Sequence, residues 1–189
     1  MGSLIGKDHV IRWLLDHRMK VSQRMSSLGN DLAMRGRRHD NTYSETVESN
    51  RFAEFYNIPL GDPDRDKKRD NCANLVKNLH KQRNDYFPEF FEGGITEMNM
   101  LQLIEYICDR ITLWEELKAG IISPINYDAL SDPENKDDLY HYVLAGLPEL
   151  SPDMEVVISN TVDYILDRNT ILKRIMERGE RTYGEAKKE

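Results

Sequence analysis

The sequence predicts an all-α fold, and three observations carry that expectation. Apolar residues recur at spacings of three and four through most of the chain. No stretch sustains the period-two alternation of a half-buried strand. Gly, Pro, Asn and Asp gather between the periodic segments. The 189 residues suit one domain or one domain plus an appendage. Charged residues make up 31% and the formal net charge is −7, so the chain is a poor general binder of duplex nucleic acid. Its apolar runs are a few residues long, too short to span a bilayer. The N-terminus lacks a signal-peptide layout, and Cys72 and Cys108 read as buried thiols, which together point to the cytoplasm.

The elements follow in order. Val10, Trp13, Leu14, His17, Val21, Met25 and Leu28 mark one face of a helix. The stretch SSLGN is expected to break it, with Asp31 capping a second helix through Leu32 and Met34 to His39. Ser44 and Glu48 are placed to open a short helix holding Phe52, Phe55 and Tyr56, and NIPLGDPD is a loop. A clear helix runs over about 66–84, with Cys72, Leu75, Val76 and Leu79 apolar and His80 on the flank. The aromatic run from Tyr86 to Phe91 is a turn or a short helix capping a core, stopped by Gly93 and Gly94. Thr96 and Asn99 offer caps for the most apolar helix, which carries Leu101, Ile104, Ile107, Cys108, Ile111, Trp114 and Leu117 and ends at Gly120. Two more helical patterns cover 137–147 and 154–176, and the tail frays. Residues 1–120 therefore read as a core, and 121–189 as a helical extension packed on the same domain, as a lid or as a homo-oligomer surface.

Polar residues fall at telling places on those helices. His17 sits within the first apolar stripe, and a core histidine bonded to a carbonyl is the plain explanation. His39 and Asp40 stand side by side at a helix end, where charge is common. Asp109 follows Cys108 inside the most apolar helix, where a carboxylate must be paired, hydrogen-bonded or metal-bound. Taken together, His17, His39, Asp40 and Asp109 form a two-nitrogen, two-oxygen set. Such donors suit one divalent ion among Mn, Fe, Co, Ni, Zn and Mg, with positions left for water and substrate. Glu105, one turn before Asp109, is placed to orient or deprotonate a metal-bound water. Arg38, His80 and Lys81 gather basic character around these residues in an acidic chain, which a phosphate substrate needs. Each also reads plainly as a solvated surface group.

The order His17, His39-Asp40, Asp109 resembles the H…HD…D signature of the HD-domain metal-dependent phosphohydrolase superfamily. More narrowly, H-R-M-K-V from His17, L-A-M-R-G-R-R-H-D from Leu32, H-K-Q-R-N from His80, P-E-F-F from Pro88 and M-N-M-L-Q-L-I-E-Y-I-C-D from Met98 resemble a family from phages and bacteria. The likeness covers about residues 9–115. It implies an HD-like helical bundle and hydrolysis of a small phosphate ester such as a nucleotide, in the host cytoplasm if a phage encodes the chain. Two departures stand out. Thr42-Tyr43 replace a Ser-Lys pair, and Tyr86-Phe87 replace a His-His pair that would help hold a second ion or touch substrate phosphate. They favour one metal over a di-iron site. They also motivate an alternative, a catalytically inactive HD-like module that binds a nucleotide signal or a host protein.

Overall fold

The computed structural model describes residues 7–127, 138–147 and 150–167. Six α-helices account for most of them: α1 (Lys7–Arg38), α2 (Thr46–Tyr56), α3 (Arg65–Arg83), α4 (Met100–Lys118), α5 (Leu139–Leu144) and α6 (Pro152–Leu166). Short 3-10 turns occupy Asn41–Ser44, Pro88–Phe90 and Gly94–Glu97. No strand occurs among the described residues, so the fold is all-α. The expected helix beyond Leu166 and the frayed tail lie outside the described residues. The chain divides into two units, Met1–Asn41 and Thr42–Glu189.

The first unit is dominated by α1, a single helix of 32 residues. This corrects the expected break at SSLGN and the expected cap at Asp31. A Cβ built on Gly29 or Gly36 would meet nothing within 4 Å, so no close approach accounts for either glycine. Each glycine costs about 1 kcal/mol relative to alanine in a helix, which the long flanking stretches of Leu, Met, Arg and Lys absorb. From Ile11 onward the apolar residues of α1 are exposed or only partly covered, so the stripe is no buried core.

The second unit holds two apolar clusters. One joins Tyr86 and Phe87 to Leu103, Tyr106, Ile107 and Ile111 of α4, then to Leu139 and Val143 of α5 and Ile158 and Val162 of α6. The other joins Phe55 of α2 to Cys72, Ala73 and Val76 of α3, with Leu113, Leu117, Ile125 and Tyr142. The C-terminal helices thus share the core of α4. Tyr86 and Phe87 are core residues, as the aromatic run suggested, while Phe90 is partly exposed. The Arg69 guanidinium lies over both the Phe55 and Tyr127 rings, 4.3 and 4.8 Å from their centroids.

Helix ends follow local chemistry. Asn99 caps α4 by accepting from Leu101 N and Gln102 N, while Gln102 Oε1 accepts from Asn99 N at 2.8 Å, a complete capping box. Gly120, at φ 78°, supplies the left-handed residue that closes α4. Asp138 caps α5, and Ser151 with Pro152 opens α6. Tyr106 is buried, and its hydroxyl donates to Val143 O at 3.0 Å. A Cβ on Gly146 would overlap that hydroxyl. Burial holds the Tyr106 phenol above its ordinary pKa.

Candidate metal centre

In the first unit, α1 stops at Arg38 and delivers His39 and Asp40 just past its end. Asp40 has φ 59° and is the only non-glycine with positive φ among the described residues. The residue after a helix end often turns left-handed, and glycine is the usual choice there because a side chain costs strain. Asp40 accepts that strain and keeps a carboxylate. Its Oδ1 lies 3.4 Å from His39 Nε2, with both side chains about three-quarters buried. That separation is long for a direct hydrogen bond. It matches the ligand-to-ligand edge, about 3.3–3.4 Å, of a tetrahedron built on bonds of about 2.0–2.1 Å.

His17 does not belong with this pair. It lies on the same helix, 21 residues before Arg38, and at 1.5 Å per residue that is about 31 Å along the axis. The expected ligand set required the helix to break between them, and it runs straight through. His17 is exposed and stacks on Trp13, with centroids 5.5 Å apart.

In the second unit, Asp109 is 8% exposed on α4, and Glu105, four residues earlier, is equally buried. Two acids one turn apart on a helix whose other buried residues are mostly apolar is the arrangement the sequence suggested. Both carboxylates hold the Cys108 thiol above its ordinary pKa, after the larger effect of desolvation.

The structure corrects the role expected of His80. It is 1% exposed, so it cannot touch a substrate phosphate or act as general acid toward one. Its Nδ1 is 3.1 Å from Glu48 Oε2, and its Nε2 is 2.7 Å from the Tyr86 hydroxyl and 3.2 Å from that of Tyr43. Thr42 Oγ1 also donates to Glu48 Oε2, at 2.9 Å, and Arg83 Nη1 approaches Glu48 Oε1 at 3.6 Å. Arg83 further pairs with Glu45. A fully buried imidazole and carboxylate thus support each other and tie α2 to α3. Lys81 is engaged too: its Nζ donates to Glu89 Oε1 at 2.5 Å. Arg38 is exposed at the end of α1.

Sequence reasoning missed Glu48 and Tyr43 as members of this network. A signal for Glu48 existed. It lies four and seven residues before Phe52 and Phe55, on the apolar face of α2, where an acid needs a partner. Tyr43 was noted only as a departure from a motif, yet its ring stacks on His80 with centroids 4.4 Å apart.

Residues 7–164 match a family described as one of unknown function, DUF5662. The chain belongs to DUF5662. Membership assigns no activity. No curated protein and no solved structure matches the chain. No helix among the described residues is long and apolar enough to cross a membrane.

Proposed function

We propose that this DUF5662 chain is a metal-dependent phosphohydrolase in which His39, Asp40 and Asp109 hold one divalent ion. The observation that carries the reading is the His39–Asp40 pair: two good ligand atoms at a tetrahedral edge, on a residue that accepts backbone strain to be there. Each of the three residues offers one donor, an imidazole nitrogen or a carboxylate oxygen. Three protein donors with a position left open is the pattern of a catalytic site, not of a closed structural one. When bound, such an ion lowers the pKa of a coordinated water and polarises a phosphoryl oxygen.

The chain's own residues do the rest. Glu105, buried beside Asp109 on α4, takes the proton from the attacking water. Arg38 balances charge on the substrate phosphate as an exposed fork of donors. The substrate class is a small phosphate ester such as a nucleotide, since a formal net charge of −7 disfavours duplex nucleic acid. His80, 1% exposed, stays outside the chemistry.

The test is elemental analysis of purified protein, followed by phosphate release from nucleoside monophosphates and cyclic nucleotides under each candidate metal. Asp109→Ala and His39→Ala should each lose at least tenfold in metal content, while His17→Ala keeps it. Equal metal in all four proteins would sink the reading. One observation favours the inactive alternative: the Tyr86 hydroxyl closes off His80 where the resemblance implies a further histidine. Tight nucleotide binding without turnover under any metal selects that alternative.

A further inference from the structure

We infer that α1 is an intermolecular docking element, and that its partner is the exposed face of α6 on a second copy of this chain. Nine large apolar side chains of α1, among them Trp13, Leu14, Val21, Met25 and Leu28, are each 38–68% exposed. Leu14, Val21, Met25 and Leu28 recur at intervals of seven, four and three, which is the narrow seam of a helix that packs against another helix. The largest apolar patch of an ordinary monomer is about 300–600 Å² and is often functional.

Charge identifies the partner. Within Lys7–Arg38 there are eight Lys and Arg against three Asp, a net charge of +5 in a chain whose total is −7. Arg18 and Arg24 flank the seam on its two sides. α6 is the complement. It exposes Val156, Val157, Tyr164 and Leu166 beside Asp153, Glu155 and Asp163, contains no basic residue, and is followed by Asp167. Two copies of α1 facing each other would bring +5 against +5, which disfavours an α1–α1 pair. An anionic bilayer would also attract α1, whose Lys and Arg flank Trp and Leu, so vesicle binding is one outcome of the test.

A two-fold dimer makes the contact twice, α1 on the partner's α6 and α6 on the partner's α1. Duplication matters, because a stable interface takes about 800 Å² from each partner, and α6 at about 22 Å covers only half of α1 at about 48 Å.

The test is light scattering on the full chain over a hundredfold range of concentration. The wild type should approach twice the 22.1 kDa chain mass. Arg18→Glu with Arg24→Glu, and separately Asp153→Lys with Asp167→Lys, should each weaken dimerisation at least tenfold while circular dichroism stays unchanged. Mixing these two variants restores complementary charge at both contacts, so a one-to-one heterodimer should form. A monomeric wild type, a dimer indifferent to both charge reversals, or variants that stay apart when mixed would each overturn the inference. So would a monomer that co-sediments with phosphatidylserine vesicles.

Discussion

α1 and α4 carry the same three-and-four spacing of apolar residues and meet opposite fates. α4 buries nine of its 19 side chains, with Leu103, Tyr106, Ile107 and Ile111 among α5, α6 and the aromatic pair Tyr86-Phe87, and Leu113 and Leu117 among residues of α2 and α3. The 32 residues of α1 leave their stripe open. Periodicity says which face of a helix wants cover; it does not say what supplies the cover. The difference is written in composition. α4 places Leu, Ile, Tyr and Trp around much of its circumference, whereas α1 beyond Met19 keeps a thin seam between arginines.

The largest effect should come from the core of the second unit. Phe87→Ala should cost about 3–5 kcal/mol, while Met25→Ala on α1 should stay within about 0.5 kcal/mol in dilute, monomeric protein. Urea denaturation of both variants checks the contrast, and equal losses would break it. Next comes the buried pair. His80→Ala leaves Glu48 without its imidazole and should cost about 3–5 kcal/mol, whereas replacing both His80 and Glu48 by leucine should recover most of that loss. If the double variant is as damaged as the single one, the network is required for more than mutual support.

A smaller and pH-dependent effect belongs to Tyr106. Its pKa is raised in the folded protein, so the contribution of its proton is complete below the unfolded value of about 10 and is lost as pH climbs above it. Tyr106→Phe should cost about 1 kcal/mol at pH 8, through the lost bond to Val143 O. It should also flatten the alkaline decline measured from about pH 10 upward. The smallest effect has the opposite sign. Asp40→Gly relieves a left-handed aspartate and should stabilise by up to about 1 kcal/mol. Metal content should fall at least tenfold in the same variant. A gain in stability with metal retained would reduce Asp40 to a helix terminator.

Much of the fold was legible because it is local. Asn99 announces the start of α4, Gly120 announces its end, and Ile107, Ile111 and Leu117 mark its inward face, whereas on α3 the expected Leu75 is exposed and the flanking His80 is buried. The continuity of α1 was not legible, because SSLGN contains the residues that usually punctuate a helix, and only flanking propensity overrides them. Of the site, the His39-Asp40 pair and the Asp109–Glu105 spacing were visible as chemistry in sequence. The fate of His80 was not. Its partners arrive from α2, from the turn after α1 and from the segment before Pro88, and no spacing within α3 encodes them.

The notch at Gly146 has a consequence for how this chain can change. Tyr106 needs both a carbonyl to bond and an empty volume in which to seat its oxygen, and these come from Val143 and Gly146 respectively. A larger residue at 146 evicts the oxygen, and a shorter ring at 106 leaves a hole. A library randomised at both positions should therefore return a larger residue at 146 only beside a side chain at 106 that lacks the hydroxyl.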